Sequence, residues 1–330
     1  MNAITPTTTQ TLALAGIAAD AAASKAAFTD YRAGASANTL RAQAVDLAHF
    51  CTFLQAVGVK DSPDCGALMQ TPDAWQGVTP GLVLAFREYQ MQQGYAVGTV
   101  NRQIATVKVY ARLAGIDTPS AKGFGHKQAR NRDEKRVEEG IATRKGSKKA
   151  ESVYLTRQQA KTLKSQPETP QGRRDALLMA LLLDHGLRCG EVALLKVEDF
   201  DVQAGVLRFY RPKVDKVQRH ALTPDTLKAL QAYAQDAPIA GHILRASVKG
   251  GALTGEGMSE RAITARVQTL GEVIGIDNLS AHDCRHYWAT AATKAGTHPR
   301  HLQQAGGWNS PAMVYRYVAE TEIANEGVIL

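Results

Sequence analysis

Between Ser36 and Leu54 the apolar positions Leu40, Val45, Leu47, Phe50 and Leu54 recur at spacings near three and four, with polar residues between them. That period places them on one face of a helix, and the polar residues ahead of it supply a cap. The same texture returns in Val83 to Gln93 and Thr99 to Leu113, separated by Gly94 and Gly98 and closed by Gly115. These segments predict a small helical bundle over residues 36–120. Residues 1–35 are rich in Ala and Thr with little aromatic content, and they predict a flexible arm, helical at most in part and too short to fold alone.

Periodic segments resume after a long polar stretch. Thr156 is placed to cap a helix over Gln158 to Leu163, and the run A-L-L-M-A-L-L-L within Asp175 to His185 is apolar on every side, which predicts a buried helix stopped by Gly186. Gly190 and Glu191 open a short helix reaching Leu195. Val206 to Arg211 and Gln218 to Leu222 read as two strands joined by a projecting charged turn around Lys213, Val214, Asp215 and Lys216. Thr223 and Pro224 start a helix through Leu227 to Ala234, and Arg261 to Ile274 forms another. Ser280 caps a further helix. Asn309, Ser310 and Pro311 then break the chain before a short helix from Pro311 to about Val318, whose apolar stripe holds Met313, Val314, Tyr317 and Val318 and leaves Tyr315 outside. The predicted fold class is mainly α with a small antiparallel β-sheet, in two domains.

Composition narrows the partners. A chain of 330 residues with 44% hydrophobic content suffices for two cores, and a net charge of +8 with pI near 9.3 favours a polyanion, either nucleic acid or an acidic membrane surface. The segment 121–151 concentrates the basic residues, Arg130, Arg132, Arg144 and Lys145 among them, and is predicted as a basic interdomain linker laid against a phosphate backbone. Arg41, Arg87, Arg102 and Lys108 fall on the polar faces of the first bundle and are candidate DNA contacts. Cys51, Cys65, Cys189 and Cys284 show no paired spacing and are expected as reduced thiols. No metal is predicted: the nine histidines lie in no metal-ligand spacing, and His282 and His286 lack an H-E-x-x-H frame. No apolar run long enough to span a bilayer and no signal peptide is read, so the expected location is cytoplasmic.

The stretch S-A-H-D-C-R-H-Y-W-A-T sets His282 and Arg285 three residues apart, one helical turn, beside the positive end of the Ser280 helix, an arrangement suited to a phosphate. Each chemistry-bearing residue also has an ordinary reading. Arg188 pairs with Glu191, His282 and Tyr317 are core residues, Trp308 is packing, and Lys213 is a solvated hairpin tip.

The motifs G-L-R-C-G-E-V-A-L-L, the Lys213 hairpin, A-H-D-C-R-H-Y-W-A-T and G-G-W with the following tyrosine together resemble the tyrosine site-specific recombinase, or phage integrase, family. The likeness runs over about residues 36 to 320, since S-A-N-T-L-R-A and G-T-V-N-R-Q-I-A-T resemble that family's core-binding domain. The resemblance implies a helical, SAM-like core DNA-binding domain over 36–120 and a mixed α/β catalytic domain with a C-terminal tail over 152–330. It implies catalytic roles for Arg188, Lys213, His282, Arg285, Trp308 and Tyr317, with Tyr317 the nucleophile, and a supporting role for Glu191. Trp308 stands where most members carry histidine and a Cre-like subset carries tryptophan. The expected function is site-specific recombination through a 3′-phosphotyrosine and a Holliday junction, without metal, ATP or other cofactor. The partner is double-stranded DNA bearing specific sites, held by a homotetramer that is monomeric or weakly associated when free. Two alternatives use related residues: a type IB topoisomerase-like nicking and closing enzyme, and a DNA-binding protein without cleavage.

Overall fold

The structure is a computed structural model, and it describes residues 8–59, 64–116 and 153–315. The chain divides into two units, residues 1–150 and 151–330. In the first, α1 (Thr8–Gly34), α2 (Ala37–Ala56), α3 (Pro80–Gln92) and α4 (Val97–Leu113) are joined partly by two short 3-10 turns, Ala67–Met69 and Pro72–Trp75. Caps set the starts. The Ser36 hydroxyl accepts the Thr39 N–H at 3.1 Å, and Thr79 accepts the Leu82 N–H at 3.2 Å with Pro80 already shaped for the first turn.

Aromatic rings fill this core. Phe50 stacks on Trp75 with centroids 6.0 Å apart and meets Phe86 edge-on at 5.1 Å, while the Trp75 indole donates to the Leu68 carbonyl at 2.8 Å. A polar seam crosses it: buried Asp46 accepts the Thr106 hydroxyl at 2.7 Å, and its other carboxylate oxygen forms an ion pair with the Arg102 guanidinium at 2.7 Å.

Four sequence expectations change here. The segment read as a flexible arm contains the 27-residue helix α1, because Phe28, 1% exposed, and Tyr31 pack on Tyr110. Thr11–Gly34 of that helix is also long and apolar enough to cross a membrane by length and composition, contrary to the expectation that no such run exists; its hydropathy comes from a string of alanines. Val45, expected on the buried stripe of α2, is exposed, whereas Asp46 and Gln43 are buried. Arg87 and Lys108, expected on polar faces, are buried, and Arg87 pairs with Glu88. Since α4 packs against α1, α2 and α3, its buried arc is wider than an apolar count suggests and takes in Thr106 and Lys108. Arg41 and Arg102 are exposed.

The second unit is built around α6 (Pro170–Asp184), in which every residue from Leu177 to Leu183 is buried. Packed near it are α5 (Arg157–Lys164), α7 (Cys189–Leu194), α8 (Pro224–Tyr233) and α10 (Ala281–Lys294). The helix α9 (Glu260–Val273) leans on α7 and α10. An antiparallel sheet of β1 (Phe200–Asp201), β2 (Val206–Arg211) and β3 (Lys216–Ala221) pairs Phe209 with Gln218 and Arg211 with Lys216. A separate ribbon, β4 (Arg245–Ser247) with β5 (Leu253–Gly257), carries no strong apolar alternation and was not foreseen from the sequence. The unit closes with α11 (Pro299–Gly306) and α12 (Pro311–Tyr315), which meet α10 in a small core of Ala289, Leu302, Trp308 and Val314.

Candidate active site

Four segments of the second unit converge: the turn Gly186–Arg188 into α7, the β2–β3 hairpin, the first half of α10, and the end of α11. At the start of α7 the Glu191 carboxylate, 3% exposed, accepts the Arg188 backbone N–H at 2.8 Å. This is the N-terminal cap, made by a side chain three residues into the helix. The same carboxylate accepts the Arg188 guanidinium at 2.7 Å and both its oxygens accept Nη1 of Arg211, at 2.9 and 2.8 Å. The ordinary reading of Arg188, an ion pair with Glu191, is therefore present, and the pair belongs to a larger arrangement.

In α10 the Ser280 hydroxyl accepts the Asp283 N–H at 3.3 Å while the Asp283 carboxylate accepts the Ser280 N–H at 3.0 Å, the cap foreseen from the sequence. His282 stands exposed in that first turn, its ring edge-on to His286 at 4.9 Å. Arg285, three residues on, points inward and is 1% exposed. It donates to the Gly186 carbonyl and, at 2.5 Å, to the Gly306 carbonyl, and its guanidinium lies 4.6 Å from the Trp308 ring centroid. Arg285 thus ties the chain just before Arg188 to the chain just before Trp308.

The end of α11 shows how those ties work. The last carbonyls of a helix have no partner within it. Here the Gln304 carbonyl receives the Gln218 amide, Ala305 receives Arg211 Nη2 at 2.7 Å and His220 Nε2 at 3.2 Å, and Gly306 receives Arg285. Two of the donors are cations, which suits the negative end of the helix dipole. Burial holds His220, and His185 stacked on it at 5.7 Å, well below the usual imidazole range, to about 4 in each case. Neutral His220 therefore donates through Nε2 to Ala305.

Gly307 ends the helix with φ 60, the left-handed conformation that Gly adopts without penalty, and a Cβ there would lie 2.7 Å from Arg211 Cδ. A Cβ on Gly306 would lie 2.4 Å from the Trp308 ring. The G-G-W motif thus has one glycine for the turn and both for close approach.

Lys213 sits on a 3-10 turn, Pro212–Val214, between β2 and β3, exposed, with Asp215 at φ 47 accepting the Tyr210 hydroxyl at 2.8 Å. Trp308 is 6% exposed and packs against Trp288 at 5.9 Å. In α12, Val314 is buried and Tyr315 exposed, the sides given by the sequence pattern. Tyr317 lies outside the described residues, as do Arg130, Arg132, Arg144 and Lys145 of the basic segment.

The structure thus brings Arg188, Glu191, Arg285 and Trp308 together, and leaves His282 and Lys213 on exposed positions of elements that carry them there. Arg211, Gln218, His220 and Trp288 were not singled out from the sequence. A signal existed for Arg211: it falls on the inward parity of β2 with Leu207 and Phe209, where an arginine is out of place unless paired.

The phage integrase family profile matches residues 153–323. Tyrosine recombinase XerC of Roseiflexus sp. (strain RS-1) is 26% identical over 288 residues, covering 83% of this chain and 81% of its own. Tyrosine recombinase XerD of Proteus mirabilis is 26% identical over 298 residues, covering 87% and 84%. Among solved structures, a lambda integrase (75–356) dimer bound to a COC′ core site superposes with TM-score 0.59 at 15% identity, covering 90% of this chain and 92% of that one.

Proposed function

The chain belongs to the phage integrase family, a tyrosine site-specific recombinase that cleaves and rejoins DNA, and from that premise we propose that Arg188, Lys213, His282, Arg285, Trp308 and Tyr317 carry its chemistry. The observation that carries the assignment is the path of Arg285, which joins the Gly186 carbonyl to the Gly306 carbonyl and so gathers the segments of Arg188 and Trp308 at one place.

The Tyr317 hydroxyl attacks a DNA phosphorus as the bond from phosphorus to the 5′-oxygen breaks, leaving a 3′-phosphotyrosine and a 5′-hydroxyl. No bond energy is lost, so the released 5′-hydroxyl of either strand can reverse the step. Negative charge grows on the non-bridging oxygens, where the guanidiniums of Arg188 and Arg285 are permanent donors and the Trp308 indole adds a neutral one. Loss of one such donor lowers the rate on the order of 10²–10³. A tyrosine of ordinary pKa, about 10, is a poor nucleophile at neutral pH, and His282 takes its proton. The Lys213 ammonium gives a proton to the leaving 5′-oxygen. Glu191 holds Arg188 in place.

The first unit serves as the core DNA-binding domain over residues 36–120, with Arg41 and Arg102 on its exposed surface, and the basic segment 121–151 follows the phosphate backbone to the catalytic domain, residues 152–330. Four protomers pair two sites and exchange strands through a Holliday junction in the cytoplasm. The test is covalent trapping on nicked duplexes taken from the flanks of the chain's own gene. A denaturing gel should show a DNA-linked band that needs Tyr317, has a 3′ linkage and disappears in Tyr317→Phe. A band kept by Tyr317→Phe and lost in Tyr315→Phe would overturn the nucleophile assignment.

A further inference from the structure

Arg211 is fully buried, yet the six residues assigned above do not include it. All three nitrogen positions of its guanidinium are engaged, each by a different segment. Nη1 meets both oxygens of Glu191, which also holds Arg188; Nη2 meets the Ala305 carbonyl at 2.7 Å; Nε meets Gln218 on the neighbouring strand. Its Cδ lies against Gly307, and its charge sits 4.7 Å from the Phe209 ring centroid. Arg211 is also the last residue of β2, two positions before Lys213.

Lys213 itself is exposed on a short turn, and a lysine on such a turn has no fixed direction of its own. What fixes the turn is its root. On the β2 side the root is Arg211, which is anchored at once to the cap of α7 that carries Arg188 and to the carbonyl that precedes Trp308 by three residues. We propose that Arg211 is a positioning residue for strand cleavage: it locks the base of the β2–β3 hairpin to the Arg188–Glu191 pair and to the end of α11, and thereby sets Lys213 at the leaving 5′-oxygen. The inference rests on the assignment of Lys213 as the proton donor.

A leaving group that needs no proton separates this role from a merely structural one. When sulfur replaces the bridging 5′-oxygen, attack by Tyr317 breaks a phosphorus–sulfur bond, and the sulfur, with a thiol pKa of about 8.5, departs as thiolate. The experiment uses the full chain and two duplexes, one ordinary and one with 5′-bridging sulfur at the scissile position mapped by trapping. Single-turnover cleavage is measured for wild type, Lys213→Ala, Arg188→Ala, Arg211→Lys and Arg211→Met. Lys213→Ala should lose about 10²-fold on ordinary DNA and little on the sulfur duplex, because general acid help is worth about that much. Both Arg211 variants should behave like it, losing about tenfold or more on ordinary DNA while the sulfur-to-oxygen rate ratio rises by a similar factor. Because the ratio is taken within one preparation, a fraction of unfolded protein cancels from it.

A ratio that stays at the wild-type value, with both duplexes slowed equally as in Arg188→Ala, would overturn the proposal and leave Arg211 as architecture. Wild-type activity on both duplexes equal to its Arg211 variants would overturn it as well. Failure of the underlying assignment looks different: Lys213→Ala itself would then show no gain on the sulfur duplex, and Arg211 would have no proton donor to position.

Discussion

Replacing Glu191 by Gln should cost the catalytic unit about 3–5 kcal/mol, the usual price of leaving a buried charge without its partner. The magnitude follows from the geometry. Glu191 is 3% exposed and accepts four hydrogen-bonding directions: the Arg188 backbone, the Arg188 guanidinium, and Arg211 at both oxygens. A glutamine supplies one oxygen, and its amide nitrogen must face either an N–H or a guanidinium, donor against donor. Arg211, wholly buried, would then have no counter-charge, since its other contacts are a carbonyl and an amide. Unfolding of the full chain in urea, read by hydrogen exchange in peptides spanning Leu177–Leu183, reports this unit alone because those residues form its central helix. The double variant Glu191→Gln with Arg211→Met removes both charges and should recover about 2 kcal/mol or more of the single variant's loss. A loss below about 1 kcal/mol for Glu191→Gln, or strictly additive losses in the double variant, would refute the view that a desolvated carboxylate holds these two arginines.

Three further outcomes are expected. Gly307→Ala should destabilise by about 1–2 kcal/mol from its left-handed backbone plus the displacement of Arg211, whereas Gly205→Ala, at φ 63 with open space around it, should show the backbone cost alone; equal losses in thermal unfolding would remove the Arg211 contact from the account. His185, held near 4 when folded against about 6.5 when unfolded, favours the folded state fully above pH 6.5, and that contribution of about 3 kcal/mol is lost as pH falls from 6.5 toward 4; His185→Gln should flatten this part of the stability–pH curve, and an unchanged curve would contradict it. Phe28→Ala should lower the stability of the first unit by about 3–5 kcal/mol and open α1 to protease, while leaving exchange in α6 unchanged; resistance of α1 to cleavage would show that its contact with Tyr110 does not hold it.

Local signals carried most of the second unit. Ser280, Thr156 and Thr223 cap where a short polar side chain precedes an apolar period, and the all-round apolar run before Gly186 is the central helix. What stayed hidden depends on neighbours remote in sequence. Val45 and Asp46 exchange their expected sides because Thr106 and Arg102, some sixty residues on, give the carboxylate its partners. The helix α1 has no aromatic stripe to announce it, and among the described residues its apolar hold on the core comes from Phe28 and Tyr31. The family motifs pointed to Arg188, Arg285 and Trp308, yet not to what holds them. Arg211 reads as one more charged residue beside a basic turn until its strand parity is set against the partners across the unit.

The grip on the end of α11 is taken on backbone oxygen. Gln304, Ala305 and Gly306 offer only their carbonyls to Gln218, Arg211, His220 and Arg285. The side chains at 304 and 305 are therefore free to drift over evolutionary time without loosening the turn, while the burden of constancy falls on residues 211, 218, 220 and 285, far from it in the chain. A search for this feature in distant relatives would find its signature in the strands, in α10 and in the two glycines of the turn, and would find positions 304 and 305 nearly silent.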